Sequence, residues 1–398
     1  MFQKLVSHND DIRHLVEKGY AITIDNAHLV VRDIPYLDPE RQLRIGALVT
    51  KLEFIDQNRV IQQDHQVHFA GGIPHQLNGD QVSNLGGGPA QIALSEWCAD
   101  VIVERSFSNK PLVEGKFKDF FDKVESYVGI ISGPAIELHG ANPYTFKAYP
   151  TAAEDDSVFK FQDTLTSRAE ITELAANFAN DVVAIIGLGG TGAYLLDFLV
   201  KTPVREIRAF DLDAFHVHNA FRSPGKLNLT ELGKLKSVVY GARYENFRQG
   251  LSFVPKFLDA SCASELDGVT FAFVCVDKGS SRFGIFELLI SKAIPFIDVG
   301  MGLSKKKGPL SGMIRTTYYP PDLAADLRDR QLAELKDSPD DLYRTNIQIG
   351  ELNALNASLA IIRFKQLRGF YHEEQPNLHL LFGISDLKIT GETAFDKD

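Results

Sequence analysis

The chain has 398 residues, is 44% hydrophobic and 24% charged, and carries a formal net charge of -10, so bulk electrostatic attraction to nucleic acid is excluded. No apolar run approaches the ~20 residues of a membrane span, and the N-terminal Met1–Asp10 has no secretory pattern. The three cysteines, Cys98, Cys262 and Cys275, form no C-x-x-C pair, which excludes a disulfide framework and a four-cysteine zinc site and points to a reducing, cytoplasmic setting.

The length predicts two or three domains. Residues 1–150 read as an α+β domain. A helix is expected over Asp10–Lys18, with Ile12, Leu15 and Val16 on one face. Strand-like runs follow at His28–Arg32, Gly46–Phe54 and His65–Phe69, separated by Gly71–Pro74, Gly86–Pro89 and similar breaks. A second helix is expected over Phe117–Tyr127. Asp64, His65, His68 and His75 match no metal-ligand spacing, and on a strand His65 and His68 would face opposite ways. They read as polar strand and loop residues. Arg105–Pro111 reads as a basic, solvated turn. Residues 151–159, small and acidic, read as a linker.

The stretch Val182–Gly192 organises the second half. Val182–Ile186 is continuously apolar, as a parallel strand covered on both faces should be. Gly187, Gly189 and Gly192 follow in G-x-G-x-x-G spacing. The first permits a tight turn, the second lets a phosphate approach the backbone, and the third lets helix pack on strand. Next comes a strand over Glu206–Asp213, ending in two acids. Asp211 stands about 20 residues past Gly192, where a dinucleotide or ATP fold places its ribose acceptor. A third strand, Thr270–Asp277, also ends in an acid. Arg222 and Lys236 would join Asp211 and Asp277 in one crevice beyond the strand ends. A nucleotide triphosphate needs that mixture: a hard oxygen ligand for Mg2+, which Asp277 can supply, and cations to stabilise charge on the phosphates. Hydride transfer to a nicotinamide needs none of these groups.

Residues 305–340 read as charged loop. Ile347–Gly369 reads as a long helix, with Leu352, Leu355, Leu359 and Ile362 as a core-facing stripe. Leu378–Gly383 and Leu387–Thr390 read as strands, and residues 391–398 as a disordered tail.

Residues 160–390 resemble the ThiF/MoeB group, the adenylating module of ubiquitin-activating enzymes. The resemblance is carried by Gly187-Leu-Gly-Gly-Thr-Gly192, Asp211-x-Asp213 with Asn219 and Arg222, Gly233-x-x-Lys236, and Asp277 with Arg282. It implies an α/β fold: a Rossmann-like, mostly parallel sheet with helices on both faces, preceded here by the smaller α+β domain. It implies ATP and Mg2+, a homodimer, and a ubiquitin-like protein substrate with, in some systems, a conjugating enzyme. By that resemblance Gly187, Gly189, Gly190 and Gly192 cradle the nucleotide with Asp213, and Asp211 holds the ribose. Asn219, Arg222 and Lys236 contact the phosphates, and Asp277 binds Mg2+. Arg168 would reach the phosphates of the partner subunit.

Three departures stand out. Lys278 follows Asp277 where the group usually has asparagine, the C-x-x-C zinc pairs are missing, and no cysteine follows Cys275. Members that form a thioester place that cysteine later. The expected reaction is adenylylation of a carboxylate, first the C-terminal glycine of a ubiquitin-like protein. The alternatives are adenylylation of a small acid, peptide or modified nucleoside without a thioester, and a decayed nucleotide- or protein-binding scaffold. A nicotinamide dehydrogenase is a further alternative.

Overall fold

The computed structural model describes residues 2–111, 115–149, 157–160, 163, 165–166, 169, 171–305, 308–337 and 347–393. Two compact units form, Met1–Thr172 and Glu173–Asp398. Among the described residues no helix is long and apolar enough to cross a membrane.

The first unit opens with helices α1 (Phe2–His8) and α2 (Asp10–Lys18), the latter ending at Gly19 with φ 104°. Its strands are β1 (Ala21–Asp25), β2 (His28–Leu37), β3 (Leu43–Lys51), β4 (Glu53–Phe54), β5 (Val60–Ile61), β6 (Val67–Ala70), β7 (Gly88–Pro89) and β8 (Arg105–Phe107). Six of them make an antiparallel sheet in the order β1-β2-β3-β6-β8-β7. Strand alternation sends Leu29 and Val31 of β2 to one face, under α3 (Phe120–His139) with its Phe120, Val124, Tyr127 and Ile131. Val30 points the other way, to Val49, Val101 and Val103.

Three expectations for this unit change. The run Gly46–Phe54 is broken at Leu52 into β3 and β4. The helix expected over Phe117–Tyr127 starts later, with Asp119 accepting the Asp122 N–H as its cap, and continues to His139. Burial of Ile131, Ser132 and Ala135 carries the helix through Gly129, Gly133 and Pro134. His65 precedes β6 and its Nε2 lies 2.9 Å from Ser108 Oγ. Residues 151–156 lie outside the described residues, as do 394–398.

The second unit begins near α4 (Thr172–Ala176) and contains β9 (Val182–Ile186), α5 (Gly190–Leu199), β10 (Glu206–Phe210), α6 (Val217–Ala220), α7 (Lys236–Tyr244) and β11 (Leu251–Val254). There follow β12 (Phe271–Val274), α8 (Gly279–Ser291), β13 (Phe296–Ser304), β14 (Ser311–Tyr319), α9 (Ala324–Asp329), α10 (Gly350–Leu367), β15 (Asn377–Gly383) and β16 (Lys388–Thr393). Eight strands form one sheet, ordered β11-β10-β9-β12-β13-β14-β15-β16. The pairs from β11 to β13 are parallel and the last three are antiparallel.

Helices cover both faces. Val183 and Ile185 pack with Leu195, Leu196, Val239, Ala360 and Phe364, from α5, α7 and α10. Val182, Ala184 and Ile186 pack with Ile285, Phe286 and Leu289 of α8 and Leu327 of α9. That two-sided burial explains why β9 is apolar at every position.

Here too the structure corrects the expectation. Residues 311–319, read as loop, form a nine-residue strand against β13. The stripe Leu352, Leu355, Leu359 and Ile362 is not the core face of α10: Ile362 is 44% exposed, and the buried positions are Asn353, Asn356, Ala357, Ala360, Ile361, Arg363 and Phe364. Asn353 of that face reaches Thr191 of α5, and Ala357 and Ala360 pack in the same core as α5. Strand β16 extends through Thr393, three residues into the segment expected to be disordered.

Candidate active site

Three parallel strands end together. Phe210 of β10 pairs with Ile186 of β9, and Val274 of β12 pairs with Ile186 from the other side. The chain therefore leaves the sheet at one level at Gly187, Asp211 and Cys275. The strand order runs outward from β9 through β10 to β11, then returns to β12 on the opposite flank. Such a reversal opens a crevice at the carboxyl ends of the strands, where ligands of open α/β sheets bind.

The glycine turn has distinct jobs at each position. Gly187 adopts φ 95°, and a Cβ there would press on the Cys275 carbonyl at 3.0 Å. Gly189 is the N-cap of α5, and a Cβ on it would meet nothing within 4 Å. This is open space beside backbone N–H groups at a helix start, the arrangement that attracts an anion. A Cβ on Gly192 would lie 1.9 Å from the Gly187 carbonyl oxygen, so the helix could not close on the turn. A Cβ on Gly190 would lie 2.1 Å from Asn353 Nδ2.

Asp211 is 6% exposed. Its Oδ2 accepts the Leu188 N–H at 2.7 Å and its Oδ1 accepts the Asp213 N–H at 2.8 Å. The Lys236 ammonium sits 3.4 Å from Asp211 Oδ2 and 2.8 Å from Asp213 Oδ2. Burial, the largest influence, holds the Asp211 carboxyl above its usual range despite Lys236 and both N–H donors. Lys236 opens α7, positioned by the short pairing of Leu235 with Ala214.

Asn219 is buried, and its side-chain oxygen accepts the His216 N–H at 2.8 Å. Its own carbonyl accepts from Ser223 Oγ and from the Arg222 N–H. It thus builds the turn that carries Arg222. Arg222 Nε is buried and has no hydrogen-bond partner among the described residues. His218 belongs to the same cluster: burial, then Arg222, His216 and Lys236, push its pKa down.

Asp277 is exposed, three residues past the last paired residue of β12 and just before α8. The expected strand over Thr270–Asp277 is therefore shorter, and the acid stands clear of the ladder. Asp211 and Asp277 flank β9 at the same edge of the sheet. Arg168 lies outside the described residues.

Residues 168–316 match the ThiF family, and residues 10–164 match a domain of unknown function (DUF6791). Residues 168–316 form a ThiF family domain. None of the curated proteins compared with the chain matches it. Similar solved structures include PaaA, at 20% identity and TM-score 0.42 over 56% of this chain and 76% of PaaA. Another is E. coli MccB with ATP, at 17% identity and TM-score 0.40 over 56% of this chain and 66% of MccB. A third is the microcin C7 biosynthetic enzyme MccB in complex with N-formylated MccA, at 17% identity and TM-score 0.42 over 56% and 67%. The ThiF family supports an adenylyltransferase-type activity on a carboxylate, with ATP as the nucleotide.

Within the ThiF domain Arg282 is a buttress. Its Nε donates to Asp298 Oδ1 at 3.1 Å and its Nη1 to the Glu334 carbonyl at 2.7 Å. Asp298, fully buried, also receives Arg315. Asn353 and Thr191 escaped the sequence reading. The two bond to each other at the start of α5; the signal in the sequence was a pair of asparagines, Asn353 and Asn356, three residues apart and so on one face of the helix.

No cysteine offers an exposed thiol. Cys98 is 0% and Cys262 8% exposed, and Cys275 lies under the glycine turn, where burial pushes its pKa up. A nucleophilic cysteine needs access and thiolate character. Among the described residues no group of three or more His, Cys, Asp or Glu could hold a metal. Mg2+ in a nucleotide site needs only one or two carboxylates plus phosphate oxygens.

Proposed function

We propose that this protein adenylylates a carboxylate with ATP, the first candidate being the C-terminal glycine of a ubiquitin-like protein. The carrying observation is that Asp211, Lys236 and the open face of Gly189 meet at one carboxyl edge of the sheet, with Asp277 on the opposite flank of β9. The residues fit the nucleotide: Gly189 leaves room for a phosphate, and Arg222 keeps a buried donor. Asp211 and Asp213 would serve the ribose, Asn219 would hold the Arg222 turn, and Asp277 would hold Mg2+. Bound there, Mg2+ would neutralise phosphate charge.

In the reaction a carboxylate oxygen bonds to the α-phosphorus, the bond to the bridging oxygen breaks, and pyrophosphate leaves. Arg222 and Lys236 would stabilise the charge on the phosphates. No general base is required, because a terminal carboxyl with a pKa of about 3.5 is already ionised at neutral pH. The group's homodimer, with Arg168 reaching across, and a conjugating enzyme as onward partner belong to this reading.

Cys98 and Cys262 are buried, and Cys275 lies under the glycine turn with its pKa raised by burial; this favours a second version, in which the same step acts on a peptide or small acid and stops at the acyl-adenylate. The test is incubation with MgATP and a polypeptide ending in glycine, as the free acid or the amide. Mass spectrometry should find AMP only on the free acid. AMP on the amide would refute carboxylate chemistry.

A further inference from the structure

Asn353 is 1% exposed in the first turn of α10. Its Oδ1 accepts the Thr191 hydroxyl at 2.9 Å, and its Nδ2 donates to the Arg222 carbonyl at 3.3 Å. The same amide nearly touches Gly190, where a Cβ would lie 2.1 Å from Nδ2. One side chain thus ties the first turn of α5 to the turn that carries Arg222, two segments far apart in sequence. Gly190 reads differently in this light: its missing side chain makes room for Asn353, whereas the open face toward a phosphate belongs to Gly189.

The chemistry of the tie is specific. It needs an acceptor for a hydroxyl and a donor for a carbonyl at once, which an amide supplies and a carboxylate or an alkyl group does not. One turn further along, Asn356 is equally buried. It donates to the Gly300 carbonyl at 3.0 Å and accepts from Thr316 Oγ1 at 2.9 Å. Those bonds hold α10 to β13 and β14. Asn356 is therefore a matched internal control, of the same chemistry, burial and helix.

We infer that Asn353 is a positioning residue for the nucleotide site, setting the spacing between the glycine turn and Arg222. The inference rests on the reading of that turn as the nucleotide site. A buried amide hydrogen-bonded to two elements at once rigidifies both, so its loss should loosen each of them while α10 stays in place.

The test uses the full chain as wild type, Asn353→Ala and Asn356→Ala. Titration calorimetry measures MgATP binding, and amide hydrogen exchange without nucleotide follows residues 190–193 and 222–223. Asn353→Ala should weaken MgATP at least tenfold and speed exchange at both segments at least tenfold. Asn356→Ala should lower the melting temperature to a similar degree yet leave affinity and exchange there within twofold. Wild-type affinity in Asn353→Ala, or equal losses in both variants, would overturn the assignment. If the wild type binds no MgATP, the nucleotide reading falls. Exchange alone then decides the tie, and unchanged exchange at both segments in Asn353→Ala overturns it.

Discussion

Lys236 Nζ lies 3.4 Å from Asp211 Oδ2, and that same oxygen accepts the Leu188 N–H that shapes the glycine turn. Both side chains are 6% exposed. The cation, the acid and the turn are therefore one unit. Replacing Lys236 with Met would leave a buried carboxylate without its cation, a loss of about 3 kcal/mol. Denaturant unfolding should show that loss, and adding Asp211→Asn should recover most of it. Additive losses in the double variant would show that the pair is not coupled.

The pH dependence of Asp211 has a definite sign. Its folded pKa is raised by burial, so the stability it contributes is present below the unfolded value of about 3.9 and is lost as pH rises through the folded one. The melting temperature of Asp211→Asn relative to wild type should therefore climb between about pH 3 and pH 7. A falling difference would mean that Lys236 and the N–H donors outweigh burial.

Gly189 and Gly192 should separate binding from folding. At Gly192 an added Cβ meets the Gly187 carbonyl oxygen at 1.9 Å, and at Gly189 it meets open space. Gly192→Ala should cost about 3 kcal/mol by overpacking. Gly189→Ala should cost about 1 kcal/mol at an N-cap, yet weaken MgATP by about tenfold or more, equivalent to about 1.4 kcal/mol. Thermal melts paired with calorimetry check both. Unchanged affinity in Gly189→Ala would remove the phosphate from that position.

The first unit has its own titration. Lys123 is 1% exposed, donates to Thr50 Oγ1 at 2.8 Å and to the Asp64 carbonyl, and burial lowers its pKa to about 8. Between that value and the unfolded one of about 10.4 the unfolded chain binds more protons, so stability rises with pH, by as much as about 3 kcal/mol. The chain's single tryptophan, Trp97, lies in this unit and reports its unfolding. The Lys123→Met variant should lack the rise that wild type shows between about pH 8 and pH 10. Parallel slopes would place the charge elsewhere.

What the sequence made legible was local. The unbroken apolar run of β9, the spacing of Gly187, Gly189 and Gly192, and the acid after β10 each encode one backbone requirement in a few adjacent residues. Less legible were features decided by distant partners. Nothing near Asn353 announces Thr191 or Arg222, and the apolar stripe of α10 pointed to the wrong face because two buried asparagines, bonded to α5, β13 and β14, lie on the true one. The strand Ser311–Tyr319 was hidden for a similar reason: its pairing with β13 supplies the regularity that its mixed composition lacks. In the first unit, the helix expected over Phe117–Tyr127 runs on to His139 because its later residues Ile131, Ser132 and Ala135 are packed.

The central claim is acceptor-dependent chemistry at the α-phosphate, and exchange of labelled pyrophosphate into ATP measures it most directly. With a ubiquitin-like protein or a peptide bearing a free C-terminal glycine, the full chain should drive label into ATP, and at limiting ATP Gly189→Ala should lower the rate by about tenfold or more, in line with its weaker binding. Absence of exchange with every carboxylate acceptor, alongside tight binding of NADH, would contradict the account.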